Sequence, residues 1–334
     1  MVLGLLASMT VTPAASATAE PCQTMEIPVT VAPGASATYS VWGELCGAAP
    51  GRTVQVLVSG ATYGHLYWDW PQEPDTYSYV RAANRAGYAT FNYDRLGIGR
   101  SGHPPAVELT TGSAAWVLHQ IVGALGKEPA TQAGRVMLVG HSLGSLIAMT
   151  EAGVYHDVDA VALTGIAHLF ATINSAILFG TMIPAQLDPV LGARGLPLGY
   201  LTTAPGVRAT DFYYTPTADP QVIAQDEATK ETITPTELAT VVDATPAAAA
   251  ITAPVLVLDG QYDQLVCGAL GQLTPCSLPV SYLTAERVFY PQARSYDAEV
   301  VPNSGHSLTL QRTASEAADM LLSWSDIHIG SGAR

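Results

Sequence analysis

Basic residues are scarce in this 334-residue chain: 14 Lys and Arg stand against 28 Asp and Glu, a formal net charge of −14. That scarcity excludes nucleic acid and anionic membrane surfaces as partners, because both are held by Lys and Arg neutralising fixed negative charge. Charged residues of either sign reach only 13%, whereas 48% are hydrophobic, so a disordered chain is excluded as well. The acidity is read as an aid to solubility outside the cell. After the N-terminal segment no stretch reaches membrane-spanning length without a charge or a Pro/Gly break, so no stable membrane anchor is expected. There is no Cys-x-x-Cys, and His65, His103, His119 and His156 show no ligand spacing with carboxylates. Neither a catalytic metal nor a cofactor is expected.

What is present begins with an export-like start. Val2-Leu3-Gly4-Leu5-Leu6-Ala7 opens an apolar stretch, and Ala15-Ser16-Ala17 or Ala17-Thr18-Ala19 supplies small-residue cleavage sites. Residues 1–19 are therefore read as a signal peptide and the protein as secreted, although no Lys or Arg precedes Arg52. The competing reading is a disordered Ala/Thr-rich leader. The four cysteines, Cys22, Cys46, Cys267 and Cys276, would pair in an oxidising compartment. Three connectivities are open; Cys22–Cys46 and Cys267–Cys276 are favoured, tying the N-terminal arm to the second strand and closing a small loop.

Strand-like and helix-like segments alternate. Residues 26–32 and 37–44 read as antiparallel strands about the Pro33-Gly34 turn, followed by strands at 53–58, 88–93, 135–139, 158–164, 254–259 and 298–302. Helices are expected over 77–86, 109–125 and 314–324, with one opening at Ser145. This alternation predicts an α/β fold, a mostly parallel doubly wound sheet with helices on both faces. About ninety residues without a clear strand follow Thr164, too many for a simple crossover. They are read as a helical cap insertion (167–250) over the carboxyl edge of a core formed by 20–166 and 251–334.

The chemistry starts at Gly140-His141-Ser142-Leu143-Gly144, set between an apolar strand and a helix-compatible run. A strand, a Gly-x-Ser-x-Gly turn and a helix lift a serine hydroxyl above the sheet edge over a helix N-terminus. Small residues at Gly140 and Gly144 let strand and helix approach. Serine needs a base, and the base an orienting carboxylate. Leu258-Asp259-Gly260-Gln261-Tyr262-Asp263 ends a buried strand and places Asp263 on the loop beyond it; Asp259, still on the strand, is the runner-up. Val301-Pro302-Asn303-Ser304-Gly305-His306 puts His306 on a glycine-preceded loop. His141 is expected to pack under the turn. His168 is a pocket-lining candidate, though a plain structural role is the stronger expectation.

Taken together, the Pro-Val-Leu-Val-Leu-x-Gly-x-x-Asp and Ser-Gly-His-Ser-Leu segments resemble the acid and histidine motifs of the α/β-hydrolase superfamily over residues 53–324. Asp94-Arg95-Leu96-Gly97-Ile98-Gly99-Arg100-Ser101 resembles a loop common there and lacks the third glycine of a dinucleotide site. The resemblance implies a Ser142–His306–Asp263 triad acting through an acyl-enzyme. It also implies an oxyanion hole built from the backbone N–H groups of Leu143 and Ala61, with Thr62 as the alternative to Ala61. Ser59-Gly60-Ala61 stands where the family usually carries His-Gly-x. Thr62, Tyr63 and Trp68, with Tyr213 and Tyr214 from the cap, are candidate pocket residues beside His168, and core packing is their alternative. The implied activity is hydrolysis of a carboxylic ester or lactone of a moderately apolar small molecule, with no oligomeric state specified. Alternatives are amide or carbon–carbon hydrolysis, a hydroxynitrile-lyase-like reaction on the same triad, and a non-catalytic binding protein.

Overall fold

The computed structural model describes residues 21–132, 134–168, 179–267, 276 and 285–332; the proposed leader lies outside them. Eight strands form one sheet in the order β1-β2-β4-β3-β5-β6-β9-β10. They are β1 (Cys22–Val29), β2 (Tyr39–Cys46), β3 (Val54–Val58), β4 (Ala89–Tyr93), β5 (Val136–His141), β6 (Ala160–Thr164), β9 (Val255–Gly260) and β10 (Tyr296–Val301). The β1–β2 and β2–β4 pairings are antiparallel, and every pairing from β4 to β10 is parallel. The expected mostly parallel sheet is present.

Its inner strands β5, β6 and β9 read as largely apolar runs because both faces are covered. Along β5, Leu138 packs into one hydrophobic layer and its neighbours Met137 and Val139 into the other; along β9, Val255 and Val257 oppose Leu256 and Leu258 in the same way. This is the period-two alternation of a strand buried on both sides. The first layer is covered by α3 (Thr111–Leu125), through Leu118 and Ile121, and by α4 (Leu143–Tyr155), through Ile147 and Ala148. The second is covered by α2 (Tyr79–Arg85), which follows the single turn α1 (Pro74–Tyr77), and by α9 (Ala314–His328), through Leu321 and Trp324. A Thr110/Ser113 capping box starts α3 where the sequence places a helix.

Cys22 and Cys46 are directly paired across β1 and β2, and both expected disulfides, Cys22–Cys46 and Cys267–Cys276, are formed. The segment between β6 and β9 is less uniformly helical than expected. It carries α5 (Val207–Asp211), α6 (Pro220–Ala228), α7 (Pro235–Ala239) and α8 (Ala244–Ala248). It also holds a small antiparallel pair, β7 (Met182–Pro184) with β8 (Leu201–Thr203). Three-residue strands are too short for alternation to register in the sequence.

Candidate active site

Ser142 sits between β5 and α4 with φ 53° and ψ −118°, a strained conformation that only the surrounding packing can hold. Its N–H donates to the Thr164 carbonyl at 2.8 Å. The close approach that the two glycines were expected to permit is present. A Cβ on Gly144 would strike the Val58 carbonyl, and one on Gly140 the backbone of Ser145 and Gly144. Leu143 begins α4, so its N–H has no intrahelical acceptor and faces outward from the positive end of the helix dipole.

Across the sheet edge, His306 Nδ1 contacts Asp263 Oδ2 at 2.7 Å. Asp263 is fixed in turn, its other oxygen accepting the N–H groups of Leu265 (2.9 Å) and Val266 (3.1 Å). A carboxylate facing Nδ1 accepts a hydrogen bond from the N–H there, which keeps that proton on Nδ1 and leaves Nε2 as the basic nitrogen. Asp259 is also fully buried, and burial, then the carboxylates of Asp263 and Glu286, push its carboxyl well above the usual range. His141 packs as expected. Its ring stacks on Tyr67 at 4.3 Å, and burial, reinforced by the neighbouring His306, keeps it far below the ordinary histidine range and neutral.

The loop after β3 lies against the elbow: a Cβ on Gly60 would come within 3.2 Å of the Ser142 Cβ. The Arg95 guanidinium donates to the Ser59 and Gly60 carbonyls, each at 3.2 Å. In a trans peptide the N–H points opposite the C=O, so holding the Gly60 carbonyl turns the Ala61 N–H away from Arg95. Arg95 is itself paired with Glu237 of α7 at 2.6 Å, with both side chains buried. Its neighbour Asp94 ties the same loop down. Burial alone would raise the Asp94 carboxyl, but hydrogen bonds from His65 and the Arg100 N–H outweigh it and bring the carboxyl below its ordinary value.

Ser142, His306, Leu143 and Ala61 share one cavity of about 130 Å³. Its walls are otherwise mostly apolar, with Leu146, Met149, Ile166, Phe212, Ile233, Leu238, Val241 and Val242 among them. Of the pocket candidates, Tyr63 and His168 line it. The Tyr63 hydroxyl is occupied elsewhere, by Ser307 at 2.6 Å and Asp226 at 3.1 Å. His168 is held by Glu286, its Nδ1 at 2.9 Å from Oε2, and stacks on Phe289 at 4.1 Å.

Four candidates lie outside the cavity lining, a correction to the sequence reading. Thr62 turns its hydroxyl to Arg208 (2.7 Å), Trp68 packs in the second hydrophobic layer, Tyr213 bonds Asp226 (2.8 Å), and Tyr214 stacks on Tyr262 (4.1 Å). Aromatic crowding near a loop marks core and pocket walls alike, and here most of it is core. Sequence reasoning also passed over Arg95, Glu237, Arg208, Asp226 and Glu286. Arg208 is fully buried, forms a two-point pair with Asp226 (3.0 and 2.7 Å) and lies over the Tyr63 ring at 4.2 Å. In so weakly charged a chain, unexplained charges beside apolar runs were the available signal.

A sequence profile described as "Alpha/beta hydrolase family" matches residues 55–319. Among curated proteins none matches. Solved structures with a similar fold include a bromoperoxidase from Bacillus anthracis, at 16% identity and TM-score 0.59, covering 90% of this chain and 99% of that one. A thermophilic esterase from Thermogutta terrifontis is 20% identical with TM-score 0.59, covering 92% and 99%. A monoacylglycerol lipase from Paleococcus ferrophilus is 17% identical with TM-score 0.55, covering 86% and 99%. At these identities the likeness is one of fold.

Proposed function

Because the chain belongs to the alpha/beta hydrolase family, we propose that it is a serine hydrolase cleaving the carboxylic ester or lactone of a small, moderately apolar molecule. The observation that carries this reading is the Asp263–His306 contact, made across 43 residues, on the wall of the cavity that also holds Ser142. In the proposed reaction Ser142 Oγ attacks the carbonyl carbon as His306 Nε2 takes its proton. The N–H groups of Leu143 and Ala61 receive the developing oxyanion. His306 then returns the proton to the leaving alcohol, and water, activated by the same nitrogen, releases the acid and regenerates Ser142. Asp263 holds the imidazole in the tautomer this requires and stabilises its charged form.

The apolar walls and the modest volume favour a compact substrate without charge. The two disulfides and the apolar start of the chain support action outside the cytoplasm. No helix of the described residues is long and apolar enough to cross a membrane. The test is a panel of short esters and lactones with wild type and Ser142→Ala, in labelled water. Turnover that incorporates label and disappears in the variant supports the proposal. Label-free cleavage dependent on Ser142 would indicate the lyase reaction, and binding without turnover a non-catalytic protein.

A further inference from the structure

The elbow helix carries a second group of ionisable side chains, away from the cavity. His119 on α3, Glu151 on α4 and Asp157, two residues past the end of α4, each offer one ligand atom, and these atoms all lie within 4.8 Å of one another. His119 Nδ1 stands 2.7 Å from Asp157 Oδ2 and 3.8 Å from Glu151 Oε1. Glu151 is fully buried, and among the described residues neither of its carboxyl oxygens meets a hydrogen-bond donor. Burying such a carboxylate is costly unless something positive or donating meets it. The sequence hid this group because its members converge from separate elements, His119 lying 38 positions from Asp157.

We infer that His119, Glu151 and Asp157 form a divalent-cation site of the zinc class that fastens α3 to the elbow helix. One imidazole nitrogen with two carboxylate oxygens suits zinc better than calcium or magnesium, which take oxygen sets, and water would complete four-coordination. Ligands about 2.0–2.2 Å from a tetrahedral ion lie roughly 3.3–3.6 Å from one another, a spacing that falls between the two distances to His119 Nδ1. His119 and Asp157 are each about one-third exposed, so both can swing to meet the ion while Glu151 stays fixed. The Tyr155 ring, stacked on His119 at 4.0 Å, holds the imidazole over the helix end. Glu151 lies roughly 14 Å along the helix axis from Ser142, so the ion would brace the helix and take no part at the serine.

The test strips the full-length protein with EDTA, removes the chelator and titrates zinc chloride by calorimetry and thermal unfolding. We expect one ion per chain and a rise in Tm of roughly 2–6 °C. Both are expected to be lost in His119→Ala and in Asp157→Asn, whose partly exposed side chains can be replaced without disturbing the core. Absence of stoichiometric zinc binding overturns the inference and leaves Glu151 as a buried acid without a metal. Zinc binding retained in both variants also overturns it, by placing the ion elsewhere, as at His306.

Discussion

Asp259 and Asp263 differ by four positions, and their surroundings divide the work between them. Asp263 accepts two backbone N–H groups and meets the His306 ring. Asp259, enclosed by the chain and set beside Asp263 and Glu286, has its carboxyl pushed well above the usual range. Under the proposed mechanism Asp263→Asn lowers kcat by roughly 10³–10⁴-fold, because the imidazole loses its tautomer. Asp259→Asn keeps most of kcat, and ester kinetics on the two variants decide the assignment. A pH dependence follows from the same burial. The folded-state value of Asp259 lies above the unfolded value of about 3.9, so its stabilising contribution is complete below that pH and is lost as pH rises through the folded value. Asp259→Asn should therefore lessen the fall of Tm above about pH 4. An equal slope in wild type and variant would refute this account of the carboxyl.

At the scale of elements, the Arg95–Glu237 pair joins the loop after β4 to α7 and turns the Gly60 peptide. Arg95→Met leaves Glu237 buried and unpaired and should cost about 3–5 kcal/mol in chemical denaturation. Replacing both, Arg95→Met with Glu237→Leu, should restore most of that stability, since no lone charge remains. It should not restore kcat, because nothing then directs the Ala61 N–H. A double variant with full kcat would show that Arg95 only stabilises. The glycines of the elbow act at the same scale: Gly144→Ala forces α4 away from the β3 strand end, so loss of folded yield is expected, read by near-ultraviolet circular dichroism.

For the molecule as a whole, the disulfide spanning 24 residues closes the outermost hairpin onto itself, and the other spans 9. In the chain-entropy account their removal costs about 3.5 and about 2.6 kcal/mol. Cys22→Ser/Cys46→Ser should thus lower stability more than Cys267→Ser/Cys276→Ser, measured by urea unfolding. The reverse order would point to native contacts, rather than chain entropy, as the larger effect. At this scale the segment between β6 and β9 is also tied to the core. Arg208 and Asp226 reach from α5 and α6 to Thr62 and, through Tyr63, to Ser307 beside His306. The core loops and the segment between β6 and β9 are therefore fixed by one buried network.

The sequence by itself determined the parallel sheet, the strained turn at Ser142 and the order in which Asp263 and His306 follow it. Those features are written in neighbouring residues, as apolar runs, glycine spacing and turn residues, and local chemistry suffices to read them. Only the tertiary structure decided that Asp263 rather than Asp259 meets His306. It alone sent Trp68, Tyr213, Tyr214 and Thr62 away from the cavity, paired Arg95 with Glu237, and gathered His119, Glu151 and Asp157. Each of these joins residues that are remote along the chain or choose among several near neighbours. Packing and burial settle such choices, and neither has a local signature.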